Sequence, residues 1–548
     1  MSFNPIFSTP SAYDFPLLIK QLWITPLANA PQQEVVYRGE RRQTYAQTRA
    51  RVGQLASALA GLGVKPGMTV AVMDWDSHRY LECFFAIPMM GCVLQTVNIR
   101  LSPDQILFTL NHAEADVVLV NAEFLPLLEA IRDRLESVKT FVLIDDSGAA
   151  PQSRLSFAGE YEALLAASAA DYAFQDFDEN TRATTFYTTG TTGLPKGVYF
   201  SHRQIVLHTL AILAWFGTAP VQGRIHREDV YMPITPMFHV HGWGMPFAAT
   251  LLGIKQVYPG RYLPELLLKL IREEGVTHSH CVPTLLQMLL GHPASKDTDL
   301  SKLKMVIGGS AMSKGLARAA LERGIDVYSG YGMSETGPLQ IVSHLSSADL
   351  AQDLDTQAAL RSRTGRSVVL CEVRTVDERM QTLPRDGKST GEIVFRSPWL
   401  TQGYLKEPRK SEELWCGGSL HSGDIGSFSE DGFLHISDRV KDVVKTGGEW
   451  ISSLDLEDII SQFPGIGEVA VIGVLDAKWG ERPLALVVPK PQAAIDPEAV
   501  RRHIAGYAEK GAISKYGVPE QVLIVEALDK TSVGKLDKKA LRAKYAKG

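Results

Sequence analysis

An α/β fold of layered sheets and helices is predicted for this chain by two observations. Short apolar runs of strand length alternate with longer amphipathic stretches, the rhythm of strands and helices packed in layers. At 548 residues the chain also exceeds what one hydrophobic core serves, so two or three domains are expected. In order, MTVAVMD at Met68–Asp74 reads as a strand. SPDQILFTLNHAEA reads as a helix, with Ser102 as N-cap and Gln105 completing a capping box. VVLV at Val117–Val120 is a strand, a helix starts at Glu123, and TFVLI at Thr140–Ile144 is a further strand. Asp145–Pro151 is a loop, and TTFY at Thr184–Tyr187 is a strand feeding a glycine-rich loop, with a helical segment after Ser201. After Leu434 the character changes: HISDRVKDVVKTGGEWIS gives a short strand, a charged DRVKD, a strand and a Gly-Gly turn. A boundary is expected near Arg439. Beyond it, a helix at Leu454–Phe463, strands at Glu468–Val474 and Pro483–Val488, and a helix at Pro497–Tyr507 make an α+β unit of about 110 residues, an ordinary domain size.

The 56 basic and 61 acidic residues leave a net charge of -5, which offers no general field for nucleic acid or an anionic membrane. Cys83, Cys92, Cys281, Cys371 and Cys416 are scattered without a CxxC pair, which fits a reducing, cytoplasmic compartment. The N-terminus lacks a basic region followed by an apolar core, and no run of about eighteen apolar residues occurs. A soluble, unprocessed chain without a transmembrane segment is expected.

The stretch Tyr187–Gly197, YTTGTTGLPKG, is suited to gripping phosphates. Gly190, Gly193 and Gly197 allow close backbone approach, so successive N–H groups can converge on an anion. Thr188, Thr189, Thr191 and Thr192 add hydroxyl donors and Lys196 a mobile positive charge. It is not a Walker A loop, because the GxxxxGK[ST] spacing fails. Alone, such a stretch can equally be a solvated loop. VYSGYGMSETGP at Val327–Pro338 places Tyr331, Ser334 and Glu335 on a turn after a strand, a set able to stack a purine, touch a phosphate and offer Mg²⁺ a hard oxygen. HSGDIG at His421–Gly426 supplies Asp424, able to accept ribose hydroxyls. Alone, either is an ordinary turn.

Together, YTTGTTGLPKG, YGMSETG, SGD, DRVKDVVKTGGEW and the C-terminal TSVGKLDKKALR occur in an order and spacing that resembles the adenylate-forming superfamily, and within it the fatty-acyl-CoA synthetases. The resemblance covers nearly the whole chain. It implies a large N-terminal domain, residues 1–438, that binds nucleotide and acyl group, and a small mobile lid, residues 439–548, with the active site between them.

The chemistry so implied has two steps. A carboxylic acid and ATP, with Mg²⁺, give acyl-AMP and pyrophosphate; the CoA thiol then displaces AMP. An anionic carboxylate must approach an anionic phosphate, so cations and oriented donors must offset the repulsion. By residue match, Lys535 in TSVGK resembles the lysine that contacts carboxylate and α-phosphate oxygens. Thr188 and Glu335 resemble Mg²⁺ ligands, Tyr331 between Gly330 and Gly332 the adenine-stacking ring, and Ser334 the α-phosphate contact, where the family usually has threonine. Gly308 and Gly309 in VIGGSA resemble the adenine-side strand end, and Asp424 and Arg439 the ribose contacts. Without that match, Arg439 is a surface residue paired with Asp438 or Asp442, and Lys535 a solvated lysine in a basic tail.

For the second step, Lys441 falls at the family's hinge position. Rotation there would present Lys445 to the adenylate phosphate, with Gly447 and Gly448 letting pantetheine pass close to the backbone. Trp450 departs from short-chain relatives, and GGEWIS looks like the long-chain branch. PMFHVHGWG at Pro236–Gly244 resembles the segment lining the acyl tunnel, with Trp243 as gate and His239, Val240 and Gly308 as wall. The match departs at His241 and Gly242, which leaves a wider or more polar tunnel mouth open; otherwise these side chains pack in a core at a helix start. A medium-chain or longer monocarboxylic acid is the expected substrate. A short, branched, aromatic or thioether acid, loading of a carrier protein, an adenylate-using oxygenase of luciferase type, and a non-catalytic sensor are the alternatives. Long-chain relatives further imply a possible homodimer.

Overall fold

The computed structural model describes residues 3–148, 151–188, 194–219, 223–439, 442–446, 449–476, 478–510, 513–531 and 536–546, without the side chains of Lys445, Glu449 and Trp450. Two large sheets lie at its centre. One is seven-stranded, in the order Phe157–Glu160, Thr140–Ile144, Ala115–Asn121, Thr69–Met73, Val93–Thr96, Arg182–Thr188 and Lys196–Ser201, parallel except for the last, antiparallel pair. The other is nine-stranded, and its parallel centre runs Asp326–Gly332, Lys304–Ile307, His278–Cys281, Val230–Pro233, Lys255–Tyr258. Helix His202–Thr218, opened by a Ser201–Gln204 capping box, packs its buried side into the core that both sheets share. A second core on the far face of the nine-stranded sheet takes in Met232, Cys281, Met305, Ile307 and Val327. Alternate residues of these strands therefore face the two different cores.

A four-stranded antiparallel sheet follows, Glu372–Val376, Gly391–Arg396, Leu420–Phe428 and Leu434–Arg439. The residues after it build their own five-stranded sheet around a long antiparallel pair, Ile466–Asp476 and Gly480–Pro489, with helices Ser453–Ser461 and Pro497–Glu509. Asp438 joins the two parts, accepting from the Ser453 backbone N–H at 2.7 Å and its hydroxyl at 2.6 Å. No described helix is long and apolar enough to cross a membrane.

The strands expected near Met68, Val117 and Thr140 form, as does the Ser102–Gln105 capping box on helix Pro103–His112. The helix expected from Glu123 forms only in two pieces. Pro126 lacks an N–H and is tolerated only in a first turn, so the segment breaks into a 3-10 turn Ala122–Phe124 and a short helix Leu125–Glu129. Asp424 sits inside strand Leu420–Phe428 instead of on an isolated turn, beside Gly423 at φ +70°. The helix start expected at Pro236–Gly244 is a left-handed turn: Val240, His241, Gly242, Trp243 and Gly244 have φ of 47°, 56°, 55°, 58° and 74°. Helix Met245–Leu252 begins only after it.

Candidate active site

Two hydrogen-bonded groups assemble where the glycine-rich segments converge. In the first, Thr188 ends its strand directly opposite Lys196 in the antiparallel ladder. The Lys196 ammonium lies 4.4 Å from the centroid of the Tyr404 ring, a cation–π contact. Tyr404 donates its hydroxyl to Glu335 Oε1 at 2.6 Å. Burial, reinforced by the Glu335 charge, holds the Tyr404 pKa well above its ordinary value, so the phenol stays a donor. A strap of backbone makes this possible: Thr401 N–H donates to the Glu335 carbonyl at 3.0 Å and Leu405 N–H to the Gly197 carbonyl at 2.8 Å. Tyr404, absent from the sequence-based candidates, thus ties the threonine-rich segment to Glu335. Ser334 is half-buried and opens the 3-10 turn Ser334–Thr336.

In the second group, Tyr331 donates to Asp424 Oδ2 at 2.6 Å, and Arg439 Nε lies 3.2 Å from Asp424 Oδ1. Asp424 and Arg439 are register partners on adjacent strands, which fixes the ion pair. Arg439 is therefore committed to Asp424, while Asp438 is taken by Ser453. Gly332 is required by crowding, since a Cβ there would fall 1.7 Å from the Pro338 carbonyl oxygen. Gly309 has φ +82°, the left-handed region that glycine favours.

The acyl-side candidates gather around the indole of Trp243. A Cβ on Gly308 would lie 3.0 Å from Trp243 Cη2 and 2.8 Å from the Gly330 carbonyl oxygen, so the strand end and the indole are in contact. Trp243 also stacks on His280, ring centroids 5.1 Å apart and 29° between planes. Val240 is buried, and His239 is half-buried just before the left-handed turn. A left-handed residue other than glycine costs about 1–2 kcal/mol, and such strain collects at functional sites. His241 is buried in the core, where its Nε2 is 2.7 Å from Thr184 Oγ1 and burial lowers its pKa to about 3. Of the two readings left open for this segment, His241 follows the core-packed one.

Thr189, Gly190, Thr191, Thr192, Gly193, Lys441, Gly447, Gly448 and Lys535 lie outside the described residues, as do the side chains of Lys445 and Trp450. Among the described residues no group of three or more His, Cys, Asp or Glu could hold a metal. A Glu335 carboxylate with the Thr188 hydroxyl still suits Mg²⁺, which takes few protein oxygens and completes its shell from phosphates and water.

This fold and arrangement have clear counterparts. Residues 25–405 match the family model of the AMP-binding enzyme, and residues 455–535 that of the AMP-binding enzyme C-terminal domain. The chain belongs to this adenylate-forming family. A long-chain-fatty-acid–CoA ligase of Thermus thermophilus is 40% identical over 521 residues, spanning 94% of this chain and 93% of that protein. A 3-methylmercaptopropionyl-CoA ligase of Ruegeria lacuscaerulensis is 37% identical over 507 residues, 92% of each chain. The crystal structure of an anthranilate CoA ligase with anthranoyl-AMP superposes with a TM-score of 0.84 at 25% identity, covering 97% of this chain and 98% of that one. Within the family the protein is an AMP-forming acid–thiol ligase, an acyl-CoA ligase using ATP and CoA.

Proposed function

We propose that this ligase joins an uncharged-tailed monocarboxylic acid to CoA at one cleft, adenylation first and thioester formation second. The observation that carries this reading is the pair of bonded chains, Lys196–Tyr404–Glu335 and Tyr331–Asp424–Arg439, which join motifs far apart in sequence. In the first half-reaction a carboxylate oxygen of the acid attacks the α-phosphorus of ATP, and pyrophosphate leaves with the bonding pair. Asp424 accepts the ribose hydroxyls, assisted by Arg439. Tyr331 covers adenine beside Gly308 and Gly309, and Ser334 donates to the α-phosphate. The loop Thr188–Gly193 and Lys196 hold the triphosphate, and Lys535 offsets the repulsion between carboxylate and phosphate. Mg²⁺, held by Glu335 and Thr188, would screen charge on the departing pyrophosphate.

The second half-reaction needs the groups exchanged. A lid starting at residue 439 pivots at Lys441, withdraws Lys535 and brings in Lys445 with the Gly447–Gly448 turn and Trp450. The CoA sulfur then bonds to the acyl carbon, and AMP departs with the electron pair of the broken anhydride bond. His239, Val240 and Trp243 line the acyl passage. A medium-chain or longer acid is supported by the Thermus relative's acid. A second reading, a compact branched, aromatic or thioether acid, is favoured by Trp243, whose indole packs against Gly308 and His280.

AMP release measured over straight-chain, branched, aromatic and thioether acids, with and without CoA, tests both. Turnover should require acid and CoA together. Lys535→Ala should lower adenylation about 10²–10³-fold yet keep much thioester formation from supplied acyl-AMP. Equal loss of both halves removes the role given to Lys535.

A further inference from the structure

His278 and His280 alternate with Ser279 and Cys281 along one strand, so both imidazoles share one face of the nine-stranded sheet. Ring contacts identify that face. His280 meets Trp243 at 5.1 Å and Tyr231 at 5.7 Å, and His278 meets Phe216 of helix His202–Thr218 at 5.8 Å. In register, His280 lies beside Val306 and His278 beside Lys304, on the strand Lys304–Ile307 that Gly308 follows. At about 3.3 Å per residue, the two rings therefore lie about 7 and 13 Å deeper than the Gly308 end of the sheet. His344 closes the row, 5.5 Å from Phe216 and 4.8 Å from Tyr328.

This wall is unusual for an alkyl chain. His278 and His280 are fully buried. Yet Nδ1 of each, and both ring nitrogens of His344, are buried without a hydrogen-bond partner among the described residues. Buried polar atoms are nearly always paired in folded proteins, and each orphan signals a water or ligand group. Burial lowers the pKa of His278 and His280 to about 3 and of His344 to about 4, so every ring is neutral, with one donor and one acceptor nitrogen. The Tyr231 hydroxyl, 2.8 Å from His280 Nε2, engages one; whichever tautomer holds, Nδ1 is left over. Charge is already balanced nearby, since Lys304 pairs with Asp229 at 2.6 Å and Arg361 with Asp326 at 2.5 Å. A second carboxylate would find no unpaired cation in those two pairs.

We infer that the row His280–His278–His344 is a specificity-determining subsite for the far end of the acid, recognising an uncharged hydroxyl, carbonyl or ring heteroatom in place of a plain alkyl terminus. The inference rests on the ligase reading above and refines its acid. A hydrocarbon chain laid on this face would leave Nδ1 of His278 and His280 and both His344 nitrogens unpaired, whereas an oxygen function at that depth pairs one of them.

The test compares kcat/KM for hexanoate and octanoate with their penultimate-carbon ketones. The ketone of at least one pair should be favoured about tenfold, mainly through KM. His280→Phe keeps ring volume and stacking but removes both nitrogens, and should bring that ratio close to one; general loss of structure would lower both acids alike. Equal use of ketone and alkanoate by the native enzyme, or an unchanged ratio in His280→Phe, overturns the inference, and the native comparison stands even if the variant does not fold. Calorimetric binding of the same acids separates the two readings. Selective binding without AMP release from any acid sinks the ligase scheme and keeps the subsite; turnover without selectivity does the reverse.

Discussion

On the proposed scheme, the nucleotide side and the acyl side of the cleft are built on opposite terms. On the nucleotide side, Asp424 holds both Tyr331 and Arg439, and Tyr404 links Glu335, by a hydrogen bond, to Lys196, by a cation–π contact. Charges are matched before any ligand arrives, which suits a partner, ATP, that never changes. On the acyl side, strained backbone at Val240–Gly244 carries Trp243 onto neutral imidazoles with unpaired nitrogens. Incomplete pairing there leaves selectivity to be supplied by the acid.

The contrast can be broken on either side. Asp424→Ala removes the common acceptor of Tyr331 and Arg439, and should raise the KM for ATP roughly a hundredfold while leaving the ranking of acids unchanged. A reordered ranking would show that the two sides are not separable. Gly308→Ala adds a Cβ 2.8 Å from a backbone oxygen and 3.0 Å from the indole. We expect about tenfold lower kcat/KM for the acid, with a smaller change for ATP, measured by AMP release. Subtler still is the pH response of stability. His241 and His280 have pKa values near 3, against 6.5 when unfolded, because burial disfavours imidazolium. Between those values the unfolded chain binds more protons, so stability is complete above about pH 6.5 and is lost as pH falls, by up to ~1.4 kcal/mol per pH unit for each such histidine. Urea midpoints measured from neutrality to about pH 5 should decline accordingly, and His241→Gln should flatten the slope; a pH-independent midpoint contradicts it.

Local patterning made much of the scaffold legible. Alternation and caps announce Thr69–Met73, Thr140–Ile144 and the Ser102 helix start, because those signals act within a few residues. Tyr404 escaped because its role depends on the strap from Thr401 to Leu405 joining Glu335 to Gly197, a tertiary event; the only local hint is an aromatic residue after glycine in TQGYLKEP. Strand His278–Cys281 went unread in the sequence, and which core its histidines enter is decided by neighbouring strands. The turn at Val240–Gly244 was illegible for a comparable reason: five successive left-handed residues cannot be foreseen when only two of them are glycine.

Helix Lys538–Tyr545 is fastened to the small domain it belongs to. The ammonium of Lys538 bonds to Ser453 Oγ at 2.6 Å and to Glu457 at 2.7 Å. Lys535 precedes it by three residues, a leash of at most about 11 Å of extended backbone. Longer excursions of that lysine must therefore carry the helix Ser453–Ser461 with them, so on the proposed scheme its departure and the arrival of Lys445 are one movement of one body, and the enzyme is barred from running both half-reactions at once.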